Sequence, residues 1–349
     1  MKAAIIREYG KIALEEIPKP ELQDDHVLVK VKYASICGSD QHIFKGEFHP
    51  RTKLPLIPGH EFAGIVEAVG RDVKDIYPGE KVTVDPILWC GKCAACQVGH
   101  YPACTALKLI GIDLDGGFAQ YVAAPAHTVF KIPDHISDEY AALIEILSIG
   151  FHASSRSGLR EQDDVLIMGA GKVGQSILHA ASTITKGRIF LADILDDRLS
   201  IALSAFPNLY AINTTITDPV AFIQEITNGR GVDVAFEAVG HDVKVEGRMN
   251  PARTCIKAIK GGGTVCVLGL GDHPTEILMK ELIWKEAKII SSRVSHGEFA
   301  RAIEALDKKT INPESLITGI LDLKDTQNGF ELLEKTPGKH LKILLKIPD

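Results

Sequence analysis

The sequence predicts an α/β protein in which a doubly wound parallel sheet is joined to a second, mainly β domain. Two observations carry this prediction. From about residue 159 onwards, short apolar runs alternate with helical stretches, the pattern of a parallel sheet covered by helices on both faces. Before about residue 146 the chain is rich in strand patterns separated by Pro, Gly and His, which suits an open barrel or sandwich with functional loops.

Three strands are predicted in the first part of the chain, at residues 27–32, 64–69 and 81–84. The first run alternates between apolar and polar residues towards its end, and the second ends at Gly70. A Pro78-Gly79-Glu80 turn leads into the third run. Short runs between such turns indicate a mainly β domain.

The second part of the chain alternates strands with helices. Buried strands are predicted at 165–168, 188–192, 232–236, 264–268 and 288–290, and helical stretches at 174–185 and about 197–205. A helix over 298–306 and a strand over 341–345 are expected to return to the first domain. The predicted boundaries are therefore 1–149 for the mainly β domain, 150–290 for the parallel-sheet domain and 291–349 for the returning segment.

The composition is that of an ordinary soluble globular protein. The 349 residues suffice for two domains, with a hydrophobic content of 45% and a charged content of 24%. A net charge of −6 argues against nucleic acid and anionic membranes as partners. The longest apolar stretches end well short of a membrane span, and the N-terminus reads as a strand rather than a signal peptide. We therefore expect a cytoplasmic protein.

Four cysteines, Cys90, Cys93, Cys96 and Cys104, lie within fifteen residues in the pattern C-x2-C-x2-C-x7-C. The residues between them are too small and polar to form a core, so this loop at about 88–106 is expected to be fixed by a structural zinc ion with four thiolate ligands. Two disulfides are the alternative, disfavoured because thiols stay reduced in the cytosol. A redox-active C-x-x-C is less favoured still, since two further cysteines lie at ligand spacing.

A glycine-rich turn follows the predicted strand at 165–168 and opens the next helix. It reads Gly169-Ala170-Gly171-Lys172-Val173-Gly174, a G-x-G-x-x-G in the strand-to-helix context that binds a dinucleotide. The first glycine permits a tight turn, Gly171 lets backbone N–H groups approach a pyrophosphate, and Gly174 lets the helix pack closely on the strand. A plain strand-to-helix turn is the alternative.

Asp193 favours NAD over NADP as the dinucleotide. It lies nineteen residues beyond Gly174, at the end of the next predicted strand, where a carboxylate accepts hydrogen bonds from the adenosine ribose. An anion at this position repels a 2′-phosphate, and residues 194–197 contain no Arg or Lys to accommodate one. The alternative for Asp193 is a solvated loop acid.

Further motifs are C-G-S-D at Cys37, G-H-E at Gly59 and G-G-F-A-Q-Y at Gly116. With the four-cysteine loop and the glycine-rich turn, they make the chain resemble, essentially from end to end, the zinc-containing medium-chain dehydrogenase/reductase family. The resemblance is strongest to the branch of sorbitol (polyol) and threonine dehydrogenases. It implies that the mainly β domain is a GroES-like catalytic domain with a structural-zinc lobe, and that the parallel sheet belongs to a Rossmann domain.

The resemblance also implies a catalytic zinc site. Cys37 and His60 are its implied ligands, a thiolate and an imidazole that suit Zn²⁺. Where alcohol dehydrogenases of the family usually place a third cysteine, this sequence has Glu145, which points to the polyol branch. Whether Glu61, Glu145 or both contact the metal stays open. Glu61 can instead orient the ligands, and Glu145 can be a helix-start residue.

The resemblance implies a proton relay of Ser39 and His42. In the threonine dehydrogenase branch the matching hydroxyl and the histidine three positions on form such a relay. Ser39 is therefore expected to receive the substrate proton, and His42 to carry it to solvent. The alternative for His42 is a surface histidine without a role.

Other expectations concern cofactor and substrate contacts. Arg198 stands at the adenosine-side position of the family, and Leu268-Gly269-Leu270 ends a strand where backbone groups would meet the nicotinamide. Phe118 and Arg293 are expected beside the substrate, since an arginine near the latter position contacts substrate hydroxyls in the polyol branch. The tyrosine that often follows it is Val294 here, so the polyol contact set is incomplete. Solvated positions and core packing are the alternatives.

These features favour a zinc- and NAD-dependent oxidoreductase that converts a secondary alcohol of a polyol, sugar alcohol or sugar acid reversibly into a ketone. L-threonine 3-dehydrogenase is the alternative within enzymes, and a non-catalytic nucleotide-binding sensor of the same fold is the alternative from another class. A zinc-free quinone reductase is excluded, because it would lack the cysteine loop and the G-H-E. The branch implies a homodimer or homotetramer, with two zinc ions per chain.

Overall fold

A computed structural model describes residues 1–240, 247, 249–271 and 273–349. The chain divides into two compact units. The first comprises Met1–Glu145, Phe299–Lys309 and Ile317–Asp349, and the second comprises Ile146–Glu298 and Thr310–Leu316. Among the described residues, no helix is long and apolar enough to cross a membrane.

The strands, in chain order, are β1 (Lys2–Glu8), β2 (Lys11–Glu16), β3 (His26–Ser35), β4 (Glu61–Val69), β5 (Lys81–Val84), β6 (Ile87–Leu88), β7 (Lys108–Leu109), β8 (Tyr121–Pro125), β9 (Val129–Lys131), β10 (Val165–Met168), β11 (Ile189–Asp193), β12 (Tyr210–Asn213), β13 (Val232–Glu237), β14 (Ile259–Val267), β15 (Lys288–Ser291), β16 (Ile317–Asp322) and β17 (Lys342–Lys346). The helices are α1 (Gly38–Phe44), α2 (Ala94–Gln97), α3 (Asp138–Ala141), α4 (Ile144–Ser157), α5 (Lys172–Ser182), α6 (Asp196–Ala205), α7 (Pro219–Ile226), α8 (Pro251–Ala258), α9 (Met279–Ile283), α10 (Phe299–Asp307) and α11 (Thr326–Lys335).

The first unit is built around a seven-stranded sheet in the order β16-β17-β3-β4-β5-β9, with β8 also paired to β3. The long strand β3 lies inside this sheet, and its valines at every second position bury one face. Val27, Val29 and Val31 are all within 1% of complete burial. The late strand β17 pairs antiparallel with β3 and so adds the end of the chain to this sheet.

The second unit contains a six-stranded parallel sheet in the order β12-β11-β10-β13-β14-β15. All four residues of β10 are buried, and they alternate between two hydrophobic clusters on opposite faces of the sheet, with Leu166 in one and Val165 and Ile167 in the other. Burial on both faces explains the unbroken apolar run in the sequence. The predicted fold class, a doubly wound parallel sheet beside a mainly β part, is confirmed.

The strand β14, like β3 and β4, is longer than its prediction. β14 covers Ile259–Val267, whereas the sequence pattern suggests 264–268. Its first half contains Gly261, Gly262 and Gly263, and glycine is depleted in strands because it has no side chain to pack. Ile259 pairs with Val232 and Thr264 pairs with Val234, with a register shift between them, so pairing on both sides of the glycines extends the strand despite the local preference.

Candidate active site

Three strand ends bring the candidate catalytic residues together in the first unit. β3 ends at Ser35, two residues before Cys37, and its partner β4 begins at Glu61, which lies opposite Ser35 in the antiparallel register. β17 pairs with the other edge of β3, with Leu344 opposite Ser35, so Lys342 at the start of β17 reaches the same place. The sheet thus gathers residues that are far apart in sequence.

Cys37, His60 and Glu61 each offer one donor atom to a group whose members all lie within 4.8 Å of one another. His60 and Glu61 are buried, and Cys37 is half-buried. Burial and the Glu61 carboxylate oppose the Cys37 thiolate, yet the charges of Lys342 and His60 outweigh them and lower the pKa of Cys37. A thiolate and an imidazole beside a carboxylate are a donor set that fits Zn²⁺.

The carboxylate of Glu61 is engaged by a lysine. Lys342 Nζ donates to both oxygens of Glu61, and both side chains are completely buried. Burial disfavours the charged form of each group, but the attraction between the two charges outweighs this effect. It lowers the pKa of Glu61 and raises the pKa of Lys342, so both groups are ionised. Lys342 was not identified by sequence reasoning.

Asp40 links the two segments that carry Cys37 and His60. It is fully buried, and its carboxylate accepts hydrogen bonds from the backbone N–H of Cys37 at 2.8 Å and of Gly59 at 3.3 Å. Its Oδ1 lies 3.6 Å from His60 Nδ1, an arrangement that directs Nε2 towards a metal. Burial lowers the pKa of His60, but Cys37 and Asp40 together raise it well above its usual value.

A glycine-rich loop supports the residue that precedes His60. A Cβ at Gly111 would lie 2.5 Å from backbone atoms of Gly59, and a Cβ at Gly116 would lie 2.2 Å from the Gly59 carbonyl oxygen, so only glycine fits at either position. Phe118, expected beside the substrate, is fully buried and packs its ring over Gly59, which has a φ of +99°. The G-G-F motif therefore fixes the backbone at the G-H-E motif.

Glu145 is the second residue of α4 and is 5% exposed. Burial raises its pKa well above the usual value, and the charges of His60, Glu61 and Cys37 also act on it. Among the described residues, the group within 4.8 Å consists of Cys37, His60 and Glu61, so Glu145 stands near that group without being part of it.

Ser39 and His42 occupy one face of α1, three residues apart. Ser39 Oγ lies 3.3 Å from His60 Nε2, which places the hydroxyl at the candidate zinc site. His42 Nδ1 forms a hydrogen bond with Glu47 Oε2, a residue that sequence reasoning missed. Arg293, expected beside the substrate, is an exposed residue that follows β15 in the second unit.

Cys90, Cys93, Cys96 and Cys104 form a second group of donor atoms within 4.8 Å of one another. The thiols are free, and Cys93 Sγ lies 3.5 Å from Cys96 Sγ. Backbone N–H groups of Cys96 and Thr105 lower the pKa of Cys93 to about 5, which favours the thiolate that a metal binds. Four converging thiol groups without a disulfide fit a tetrahedral zinc ion.

The glycine-rich turn lies between β10 and α5 in the second unit. Gly169 has a φ of +100°, in the region that favours glycine. A Cβ at Gly174 would lie 1.7 Å from the Gly169 carbonyl oxygen, which excludes any other residue. Gly171 caps the N-terminus of α5, and Lys172 and Val173 are its first residues, so backbone N–H groups at this helix end suit a pyrophosphate.

Asp193 ends β11 and closes the same turn. Its two carboxylate oxygens accept hydrogen bonds from the backbone N–H of Ala170 at 2.6 Å and of Leu195 at 2.9 Å. Arg198 Nη1 lies 3.5 Å from Asp193 Oδ2. The carboxylate is therefore fixed beside the glycine-rich turn, with the arginine next to it.

The segment Leu268-Gly269-Leu270 follows β14. The N–H groups of Leu268 and Gly269 donate to the Glu237 carbonyl oxygen at 2.9 and 3.1 Å. A Cβ at Gly269 would lie 2.3 Å from the Gly240 nitrogen, whereas Leu270 is 82% exposed. Glu237, the last residue of β13, thus fixes this segment, a role that sequence reasoning missed.

Family profiles match both halves of the chain. A profile described as "Alcohol dehydrogenase GroES-like domain" matches residues 23–134, and one described as "Zinc-binding dehydrogenase" matches residues 173–308.

Individual relatives match over nearly the full length. The chain is 32% identical over 348 residues to the starvation-sensing protein RspB of Escherichia coli strain K12, covering 99% of each chain. It is 33% identical over 353 residues to the sorbitol dehydrogenase of Bacillus subtilis strain 168, covering 99% of this chain and 97% of that protein. The crystal structure of an alcohol dehydrogenase (rspB) from E. coli CFT073 with the cofactor NADH superposes with a TM-score of 0.89 at 31% identity, covering 99% of both chains.

Proposed function

Because this chain belongs to the zinc-containing alcohol dehydrogenase family and is an NAD-dependent oxidoreductase, we propose that its substrate is a polyol, sugar alcohol or sugar acid. It oxidises a secondary hydroxyl of that substrate reversibly to a ketone. The observation that carries this choice is the buried Glu145 near Cys37 and His60, at the position where simple alcohol dehydrogenases carry a cysteine. The similarity to a sorbitol dehydrogenase supports it.

The zinc-binding roles follow from the donor set. When bound, zinc supplies a Lewis acid that polarises the oxygen of the substrate hydroxyl. We propose that Cys37, His60 and Glu145 hold the zinc ion. Glu61 stays paired with Lys342, which neutralises its negative charge, and lies beside the ligands without binding the metal. Both carboxylate oxygens of Glu61 already accept from Lys342, which supports this division of roles. The four-cysteine loop holds the second, structural ion.

The chain's own residues remove the substrate proton. We propose that Ser39 Oγ accepts the hydroxyl proton of the substrate and hands its own proton on to His42, which releases it to water. The 3.3 Å separation of Ser39 Oγ from His60 Nε2 supports the location of this hydroxyl. NAD accepts the hydride when bound, and the preference for NAD over NADP rests on Asp193.

The test is a substrate panel with the zinc-loaded protein and NAD⁺. Polyols, aldonic acids and L-threonine are compared by the appearance of NADH. We expect a polyol or sugar acid to give the highest kcat/KM, and the Cys37→Ala variant to be inactive with it. A highest kcat/KM for L-threonine identifies a threonine dehydrogenase instead. Intact NADH binding without turnover of any compound identifies a nucleotide-binding sensor.

We also propose that two copies of the chain assemble through β15. This strand is an edge of the six-stranded sheet, and Ile289 on it is 44% exposed. Ile283 and Trp284, a few residues before it in sequence, are 70% and 76% exposed. Within the described residues β15 pairs on one side only, with β14, so two copies that meet about a twofold axis would pair these edges and bury the exposed apolar side chains. Sedimentation of the protein against a Trp284→Lys variant tests this, and a wild-type monomer contradicts it.

We propose that the protein acts in the cytoplasm. All seven cysteines lie in the described part of the chain and carry free thiols, which suits a reducing compartment. Localisation of a tagged full chain tests this proposal, and an oxidising compartment contradicts it.

A further inference from the structure

The chain turns back on α1 directly after its last residue. The backbone N–H of Gly46 donates to the Ile43 carbonyl at 2.9 Å, and that of Glu47 donates to the His42 carbonyl at 2.9 Å. Gly46 has a φ of +79°, which terminates the helix in the left-handed conformation. A Cβ at Gly46 would lie 3.0 Å from the ring of Tyr9. This turn brings Glu47 back beside the side chain of His42.

The imidazole of His42 is held from two sides. Its Nδ1 shares a hydrogen bond with Glu47 Oε2. The ring of Phe48 stacks on it, with 5.6 Å between centroids and an angle of 11° between planes. The His42 side chain remains 41% exposed and that of Glu47 50%, so the ring borders bulk water. Orientation and access to solvent are therefore combined in one side chain.

We propose that Glu47 is the positioning residue of the proton outlet, an inference that rests on the proposed function and its Ser39–His42 relay. A carboxylate only accepts hydrogen bonds, so its partner atom His42 Nδ1 carries hydrogen and Nε2 carries the lone pair. Ser39 precedes His42 by three residues on the same helix, so the two residues lie on one face of α1.

In this relay the proton moves from the substrate through Ser39 and His42 to water. The substrate hydroxyl gives its proton to Ser39 Oγ as the Ser39 proton passes to His42 Nε2, and an imidazolium forms. Its Nδ1–H stays on Glu47, whose negative charge stabilises the new positive charge. The Nε2 proton then leaves to water and restores the starting tautomer. When bound, NAD would supply the acceptor for the hydride, which carries the electron pair of the substrate C–H bond.

A stabilising role alone does not account for this pair. Ion pairs between exposed side chains contribute little to folding, because solvent screens them and two mobile side chains must be ordered. Removal of Glu47 is therefore expected to change the tautomer of His42 and the rate of turnover, but not the thermal stability. Glu334 is a matched control, because its carboxylate is 52% exposed and pairs with Lys45 at the end of the same helix.

The first experiment is ¹⁵N NMR of the histidine side chains in the zinc-loaded full chain, with the His42 signals assigned from a His42→Gln variant. We expect the Nδ1–H tautomer in the wild type, a mixture of tautomers in Glu47→Gln, and no change in Glu334→Gln. This readout is independent of turnover. An unchanged His42 tautomer in Glu47→Gln overturns the inference.

The second experiment measures NADH formation with the best substrate of the panel. We expect Glu47→Gln to lower kcat about tenfold with little change in KM, since a general base contributes roughly 10²–10⁴-fold and its partner only a part of that. Glu47→Asp should recover part of the loss, and Glu47→Gln should add nothing to His42→Ala, because the two act as a unit.

The two proposals fail in different ways. An active wild type whose kcat is unaffected by Glu47→Gln overturns the role of Glu47 alone. Additive effects of Glu47→Gln and His42→Ala do the same, since they show that the residues act independently. A wild type that oxidises no alcohol while it binds NADH overturns the proposed function, and the inference falls with it.

Discussion

Lys342 and Glu61 form an ion pair in which neither side chain has any exposure to solvent. The two residues are 281 positions apart, yet they meet where β17 and β4 flank the end of β3. Each charge would be very unfavourable in this place without the other. The pair thus allows a negative charge to stand beside Cys37 and His60 in a buried site.

Breaking this pair is expected to destabilise the first unit strongly. Lys342→Met leaves the Glu61 carboxylate buried without its partner, a change that typically costs about 3–5 kcal/mol. The double variant Lys342→Met/Glu61→Leu, which removes both charges, should recover much of that loss. Urea unfolding of the zinc-loaded protein measures both. Lys335→Met, at an exposed pair with Glu331, is the control and should leave the free energy of unfolding nearly unchanged, because solvent screens that pair. An equal effect of the two lysine changes contradicts the prediction.

Two zinc ions per chain are expected, because two separate donor groups fit the metal and differ in chemistry. Elemental analysis should give two zinc ions in active protein and one in Cys37→Ala, which should still fold and bind NADH. Cys96→Ala should impair folding or assembly, because the loop has no core of its own. A single zinc ion in fully active protein contradicts the two-site assignment.

Asp193 is expected to set the choice of cofactor. Asp193→Ser removes the fixed carboxylate beside the glycine-rich turn, and with it both the ribose hydrogen bonds and the repulsion of a 2′-phosphate. The ratio of kcat/KM for NAD⁺ to that for NADP⁺ should fall, and a further Ile194→Arg change should lower it again. Asp196→Ser is the matched control, since that acid lies in the first turn of α6. An unchanged ratio in Asp193→Ser places the adenosine elsewhere.

Mild acid should destabilise the protein through His179. This residue of α5 is fully buried, its ring nitrogens have no hydrogen-bond partner among the described residues, and burial lowers its pKa from 6.5 to about 4. Below pH 6.5 the His179 imidazole binds a proton in the unfolded chain but stays neutral in the folded chain. The free energy of unfolding therefore decreases as pH falls from about 6.5 towards 4. At one pH unit below 6.5, His179 lowers the free energy of unfolding by about 1.4 kcal/mol.

Urea unfolding at neutral and mildly acidic pH measures this effect. His179→Leu should make stability less dependent on pH over that range, because leucine has no proton to bind. His135→Gln, at an exposed histidine beside Asp307, is the control and should leave the dependence as in the wild type. Equal pH dependence in the wild type and His179→Leu contradicts the prediction.

Ser39→Ala should abolish most alcohol oxidation while zinc and NADH still bind, since no other hydroxyl lies in the motif that follows Cys37. His42→Ala should be milder, with a loss on the order of 10–100-fold, because water can replace the imidazole. The loss should be largest at lower pH, where hydroxide is scarce as an alternative acceptor. A pH–rate profile of His42→Ala that matches the wild type contradicts the prediction and shows that His42 is a surface histidine without a role in proton transfer.

Local motifs explain which parts of the site can be predicted from sequence. The glycines of the nucleotide turn and the four cysteines each lie within fifteen residues, so spacing alone describes their geometry. Lys342 carries no such signal, because its partner is supplied by the pairing of β17 with β3 and not by neighbours in sequence. Asp40 and Glu47 are close to Cys37 and His42, but an acid near a motif has many roles, and only the hydrogen bonds distinguish them.

The position of β17 after the parallel-sheet unit in the sequence has a consequence for biosynthesis. A ribosome that has made the first 145 residues has already produced Cys37, His60, Glu61 and Glu145, but the lysine that neutralises Glu61 is still almost two hundred codons away. Until β17 has emerged, β3 lacks one of its partners and the carboxylate lacks its counter-charge. The whole parallel-sheet unit is synthesised in that interval and is free to fold first. The candidate catalytic site is therefore completed by β17, a strand that leaves the ribosome after the whole parallel-sheet unit.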